Sequence, residues 1–93
     1  MTVDDLIARI KPVLRKIQEI SDRPCEEITD ETVPIGDLHG FDSLNSIEAM
    51  MMLSAEINFE IPGDGNLFVS ENGRRALTVH GIAERIKKLL PKE

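Results

Sequence analysis

Apolar residues recur at helical spacing in three segments of this 93-residue chain. The first segment begins at Thr2, which together with Asp5 is spaced as a capping box with a shorter acid. Pro12 lies inside the segment and lacks a backbone donor, so it predicts a kink or a split of the helix near Lys11. The apolar positions of this first predicted helix are Val3, Leu6, Ile7, Ile10, Val13, Leu14, Ile17 and Ile20.

The third segment, residues 78–90, predicts an amphipathic helix with Thr78 as its N-cap and Pro91 as its end. Its apolar stripe consists of Val79, Ile82, Ala83, Ile86, Leu89 and Leu90. Residues 22–40 have no sustained period and are rich in prolines, glycines and acids, so they predict a long loop. The residues expected to hold this loop on the core are Ile28, Val33, Ile35 and Leu38.

Residues 63–76 contain several glycines and the Asn72-Gly73 pair, which interrupt any long element. A short helix around Asn66 to Glu71 and a small hairpin both fit this stretch, and we favour the helix. No repeat or second domain is apparent, so residues 1–93 are expected to form one domain. The predicted class is all-α, a small antiparallel bundle of three main helices plus a short one, with a long loop between the first two main helices.

The second segment, from Ser43 to about Phe59, is unusual because it is apolar on two sides. At steps of 100° per residue, one stripe lies between about 140° and 240° and the other between about 300° and 20°. The first stripe, expected to face the core, is Ser46, Ala49, Met50, Leu53 and Ile57. The second is Leu44, Ile47, Met51 and Ala55. Such a helix is either covered on both sides or presents one side to a partner, and the sequence leaves both interpretations open.

Charge and composition limit the classes of partner. The formal net charge of -6 at pH 7 argues against nucleic acid and anionic membranes as partners. The sequence has no apolar run long enough to predict stable insertion into a membrane. The first residues carry acids where a signal peptide carries bases, so we expect a cytoplasmic protein. Cys25 is the only cysteine, which excludes an internal disulfide and a paired-cysteine motif.

Asp42 and Ser43 open the second predicted helix, in the stretch "GFDSLNSIEAM". Both residue types accept hydrogen bonds from the free N–H groups of a first helical turn, so capping is a sufficient local explanation for the pair. The surrounding sequence suggests a further role, because its motifs and their spacing resemble those of a known family.

The stretch "DLHGFDSLNSIEAMMMLSAEINFEIP", followed by "LTVHGIAERI", resembles the acyl carrier protein family. In that family a D-S-L motif opens the second helix, an F-x-x-x-I-P-like stretch ends it, and a T-V pair opens the last helix. The corresponding pieces here are residues 42–44, 57–62 and 77–79, with Ile57 where an aromatic residue is common. The resemblance covers nearly the whole chain.

The resemblance implies that Ser43 carries 4′-phosphopantetheine through a phosphodiester, and that the thiol of this arm holds acyl groups as thioesters. It implies that Asp42 helps a phosphopantetheinyl transferase to position Ser43, through the Mg²⁺ site of that enzyme. The phosphodiester anion would lie at a helix N-terminus, among free N–H groups. The implied protein is a monomeric carrier that catalyses nothing itself.

The resemblance also gives the second apolar stripe a role. Leu44, Ile47 and Met51 match positions that contact partner enzymes, and Glu48 matches an acid that meets basic patches on those enzymes. The implied partners are acyl-loading, synthase or acyltransferase enzymes of fatty-acid, lipid or polyketide-type biosynthesis.

Two features differ from the bacterial fatty-acid carriers. Ser54, Ala55 and Asn58 stand where acids are common, and the segment 63–76 is longer and contains Arg74-Arg75. These differences favour a specialised bacterial carrier with partners of its own.

Other functions remain open at the level of sequence. A peptidyl or aminoacyl carrier shares the fold and the motif serine, and an unmodified helical interaction module would keep the two-sided helix. A hydrolase would need Ser43 to pair with His39 or His80, but the G-x-S-x-G turn is missing. The stretch "GDGN" has too few ligands for a calcium loop, and two distant histidines make no zinc site, so no metal is expected.

Overall fold

Three long helices form the framework of the chain in a computed structural model that describes residues 1–25, 27–59, 67–70 and 73–90. The long helices are α1 (Val3–Ile20), α3 (Ser43–Ile57) and α4 (Val79–Leu89), and the four-residue helix α2 (Pro34–Asp37) lies between α1 and α3 in the chain. α1 packs against both α3 and α4. The predicted all-α class and small bundle are therefore confirmed.

α1 begins where the sequence predicted. The Thr2 hydroxyl accepts from the backbone N–H of Asp5 at 3.1 Å, and the Asp5 carboxylate accepts from that of Thr2 at 2.9 Å. The pKa of Asp5 lies below its usual value of 3.8, chiefly because its carboxylate accepts from the backbone N–H of Thr2. The predicted split at Pro12 is wrong, because the helix continues through it to Ile20. Pro12 and Ala8 are both exposed, so water can satisfy the Ala8 carbonyl that the proline leaves without a donor.

The core is built from the faces that the periodicity predicted for α1 and α4, together with one stripe of α3. The fully buried aliphatic side chains include Leu6, Ile10, Leu14 and Ile17 of α1, Leu53 of α3, and Ile82 and Ile86 of α4. Two members of the predicted stripes are exposed: Ile20 and Leu89, each at the last residue of its helix. Their position at helix ends places them beyond the packed surface of the neighbouring helix.

The long loop between α1 and α3 is tied to the bundle at several points. Ile28 and Leu38 are buried, Ile35 packs partly against the core, and Val33 is half-buried, as the sequence suggested. The loop also caps α4, because the carbonyls of Thr32 and Asp30 accept from the first two backbone N–H groups of that helix, at 2.8 and 3.0 Å. The Thr78 side chain accepts from Gly81 N–H at 3.0 Å, which confirms the predicted N-cap. Pro91 lies outside the described residues.

The segment before α4 folds back on itself. Val69 and Ala76 form an antiparallel β-bridge, and the Leu77 N–H donates to the Phe68 carbonyl at 2.9 Å. The favoured short helix is therefore wrong for residues 67–70, and the hairpin alternative describes them better; Asn66 and Glu71 lie outside the described residues. The short helix of the fold is α2 instead, within the long loop, where Ile35 and Gly36 depart from helical dihedral angles.

Candidate functional site at the start of the third helix

Asp42 is the N-cap of α3, as the sequence predicted. Its backbone is extended, and its carboxylate Oδ1 accepts from the backbone N–H groups of Leu44 at 3.0 Å and Asn45 at 3.1 Å. The Asn45 side chain completes a capping box by accepting from the Asp42 N–H at 3.3 Å. Since both N–H groups would otherwise lack an intrahelical partner, the Asp42 side chain stabilises this helix start.

Ser43 plays no part in that cap. It is the first residue of α3 and is exposed, and its hydroxyl forms no hydrogen bond with any residue that the structure describes. Its carbonyl accepts from the Ser46 hydroxyl at 2.7 Å. The expectation that both residues cap the helix therefore holds for Asp42 and is wrong for Ser43, because one carboxylate already satisfies both N–H groups.

The neighbouring serine on α3 has a different environment. Ser46 is fully buried, and its hydroxyl is occupied by the bond to the Ser43 carbonyl. The two serines lie three residues apart on the same helix, but only Ser43 presents its hydroxyl to solvent. This contrast makes Ser46 a natural internal control for any chemistry assigned to Ser43.

The two apolar stripes of α3 have opposite environments. Ser46, Ala49, Met50 and Leu53 of the first stripe are buried, and Ile57 packs partly on the core. Leu44, Ile47 and Met51 of the second stripe are 73, 52 and 70% exposed, and Ala55 is exposed as well. Of the two interpretations, the helix that presents one side is therefore correct for this structure, and the helix covered on both sides is wrong.

The second stripe and Ser43 lie on adjacent parts of the same helix, and we call Ser43, Leu44, Ile47, Glu48 and Met51 the presented face. Glu48 is exposed on this face. The next acid along the helix, Glu56, is engaged by Arg9 of α1 through a contact of 3.4 Å. The presented face therefore combines a free hydroxyl at one end with an apolar surface that carries one carboxylate.

The segment that leads into Ser43 is fixed to the bundle. Phe41 is buried, and its ring stacks on that of Phe68 with centroids 5.7 Å apart. The side-chain amide nitrogen of the fully buried Gln18 donates to the His39 carbonyl at 2.7 Å. Gly40 between them has a φ of +71°, a conformation that glycine adopts without strain. Sequence reasoning missed this tie, because nothing in the sequence pairs Gln18 with a residue 21 positions away.

A second tie comes from Arg23, which the sequence also gave no reason to select. Its Nη1 donates to the Asn45 Oδ1 at 3.0 Å, so the chain just after α1 is joined to the first turn of α3. A Cβ placed on Gly40 would lie 2.8 Å from the Arg23 Nε, which shows how closely the arginine passes over the glycine. Gln18 and Arg23 therefore both hold the segment that ends at Ser43 against the bundle.

The sequence also raised a hydrolase site and a metal site, and the structure can be examined for each. His80 Nδ1 lies 3.2 Å from a carboxylate oxygen of Glu84 on the exposed side of α4, and neither His80 nor His39 hydrogen-bonds to Ser43. Within the described residues no cluster of histidine, cysteine and acidic side chains could hold a metal, and "GDGN" lies outside them. Cys25 is exposed. Among the described helices, none has both the length and the apolar character needed to cross a membrane.

Comparisons of the chain with protein families, with curated proteins and with solved structures find no match. The case for a function therefore depends on the residues and geometry of the chain itself.

Proposed function

We propose that this chain is an acyl carrier protein, modified at Ser43 by 4′-phosphopantetheine, which carries acyl intermediates as thioesters and presents them to partner enzymes. The observation that carries the proposal is the Ser43 hydroxyl, which is exposed at the first position of α3 and serves no described hydrogen bond. The fold uses Asp42 for the cap and leaves the serine available, as a site of modification requires.

The modification is a phosphoryl transfer from coenzyme A. The Ser43 Oγ attacks the phosphorus of coenzyme A that is bonded to pantetheine, and a new O–P bond forms. The bond from that phosphorus to the bridging oxygen breaks, and its electron pair leaves with adenosine 3′,5′-bisphosphate. The hydroxyl proton passes to the transferase active site or to water. The product is a phosphodiester with one negative charge, placed near the positive end of the α3 dipole, which stabilises it.

In this proposal the Asp42 carboxylate has two roles, one in the fold and one in the modification. Its Oδ1 caps α3, and the carboxylate beside Ser43 is available to the Mg²⁺ site of the transferase. The presented face supplies the docking surface through Leu44, Ile47 and Met51, with Glu48 as its charged contact. Because most of this surface is apolar, we expect partner affinity to change little with ionic strength.

The proposed partners are a phosphopantetheinyl transferase and the acyl-loading, synthase or acyltransferase enzymes of fatty-acid, lipid or polyketide-type biosynthesis, in the cytoplasm. The sparse charge on the presented face favours a specialised bacterial pathway over the housekeeping one. A peptidyl or aminoacyl carrier has the same attachment chemistry and differs only in cargo. The second candidate is an unmodified interaction module, which is favoured by one observation, the exposed apolar stripe of α3.

The test is an intact mass measurement after incubation with coenzyme A, Mg²⁺ and a broad-specificity phosphopantetheinyl transferase. We expect the mass to rise by one phosphopantetheine and peptide mapping to place it on Ser43. Ser43→Ala should remain unmodified, whereas Ser46→Ala should be modified because the buried hydroxyl is not the acceptor. A Cys25→Ser background lets a thiol reagent report the new arm without labelling the exposed cysteine.

Two results would count against the proposal. If several transferases leave the folded wild-type protein unmodified, the interaction module replaces the carrier. If Ser43→Ala is still modified, the carrier interpretation survives but the attachment site is wrong.

A further inference from the structure

A closed set of hydrogen bonds surrounds the backbone of Ser43. The Asn45 Oδ1 accepts from the Arg23 Nη1 at 3.0 Å and from the Asp42 N–H at 3.3 Å, so one oxygen joins the end of the first helix to the cap. The Asp42 carboxylate in turn accepts from the N–H groups of Leu44 and Asn45. Ser43 lies between these partners, and its backbone is therefore held from both sides.

Arg23 is suited to lock this arrangement. It lies three residues beyond the end of α1, and Asn45 is 9% exposed, so the charge-assisted bond between them is partly shielded from water. Arg23 makes no ion pair with any described carboxylate, and its described partner is the neutral amide of Asn45. The side chain passes so close to Gly40 that a Cβ there would lie 2.8 Å from Nε, so the guanidinium follows a defined path.

We propose that Arg23 is a positioning residue for the modification of Ser43: through Asn45 it holds the first turn of α3 closed and presents the serine hydroxyl in one orientation. This inference rests on the proposed function. In-line attack on phosphorus depends strongly on the orientation of the nucleophile, and a displacement of about 1 Å can lower such a rate about a hundredfold. Arg23 acts through Asn45 and does not itself react.

The first test is the steady-state rate of phosphopantetheine transfer to Arg23→Met, Arg23→Lys and the control Arg9→Met. Arg9 is a matched control because its Nη1 likewise reaches α3, from within α1 and at the far end of α3, where it contacts Glu56. We expect Arg23→Met to lower kcat/KM about tenfold, mainly through kcat. Arg23→Lys should stay within about threefold of the wild type, since one N–H donor suffices for the single bond to Asn45. Arg9→Met should match the wild type.

The second test is amide hydrogen exchange at Leu44 and Asn45 in the unmodified protein, which requires no transferase. Arg23→Met should speed exchange at both amides about fivefold, and Arg9→Met should not. Transfer to Arg23→Met at the wild-type rate overturns the positioning role while leaving the carrier function intact. A wild type that no transferase modifies overturns both, and unchanged exchange in Arg23→Met shows that Arg23 does not hold the turn.

Discussion

Asp42→Ala and Ser43→Ala should have very different effects on stability, although the residues are adjacent. Asp42→Ala leaves two backbone N–H groups of α3 without their acceptor. Loss of an N-cap costs about 0.5–2 kcal/mol, and loss of a carboxylate at an exposed helix N-terminus costs about 0.3–1 kcal/mol. Because the two effects overlap, we expect the free energy of unfolding to fall by about 1–2 kcal/mol. Ser43→Ala removes an exposed hydroxyl with no described hydrogen bond, so the change should stay within about 0.5 kcal/mol.

Urea denaturation of the unmodified variants, followed by far-ultraviolet circular dichroism, measures this difference directly. For a domain of this size a loss of 1 kcal/mol lowers Tm by about 4–8 °C, so thermal melts should separate the variants as well. Asp42→Asn is the matched control, because asparagine caps helices as well as aspartate does and should retain most of the stability. If Ser43→Ala proves as destabilising as Asp42→Ala, the hydroxyl belongs to the cap and the division of roles between the two residues is wrong.

Two further predictions follow from the presented face and from the first capping box. Met51→Glu should raise the KM of the transferase while keeping Tm within about 3 °C of the wild type, because the side chain is 70% exposed; the buried control Leu53→Glu should lower Tm far more. Asp5 has a lowered pKa when folded, so its contribution to stability is present above its ordinary value of 3.8 and is lost as the pH falls through the lower folded value. When Tm is measured against pH, the wild type should therefore melt at a higher temperature than Asp5→Ala above this pH range, and the difference in Tm should disappear below it. A difference in Tm that persists below the range would show that the carboxylate charge is irrelevant.

The helix starts were predictable because their signals are local. Thr2 with Asp5, Asp42, and Thr78 each cap the helix that follows them, and each cap is formed within three residues of its own position. Local side-chain acceptors for free N–H groups are encoded in short sequence patterns. The same reasoning explains the error at Ser43, because a pattern of two capable residues does not reveal that one of them satisfies both N–H groups.

The connections around the site were not predictable, because they join residues that are distant in sequence. Gln18 reaches the His39 carbonyl, and Arg23 reaches Asn45, across separations of 21 and 22 residues. The fold of residues 67–70 likewise depends on distant partners, since Phe68 stacks on Phe41 and Arg85 of α4 donates to the Val69 carbonyl. A short apolar run flanked by glycines is compatible with a helix or a turn, and these tertiary contacts favoured the turn.

The two apolar stripes of α3 show a similar limit of prediction from sequence. Both consist of residues that would suit a core, so periodicity could locate them without deciding which one is buried. The tertiary packing decides this, because α1 contacts both α3 and α4, and only the α3 stripe with Ala49, Met50 and Leu53 is buried. In a bundle with three main helices, the side of α3 opposite the core has no further long helix among the described residues to cover it.

The fold therefore leaves two neighbouring features of α3 without a structural task. The core side of the helix is complete with Ala49, Met50 and Leu53, and the cap is complete with Asp42. Exposed apolar side chains do not contribute burial energy, and a large exposed apolar patch favours association with a partner. A free hydroxyl at the first residue of a helix lies where a covalently attached anion is stabilised by the helix dipole. An unmodified interaction module would need the exposed apolar stripe but not the neighbouring Ser43 hydroxyl. A carrier would use both, the hydroxyl for its modification and the apolar stripe for docking to a partner enzyme.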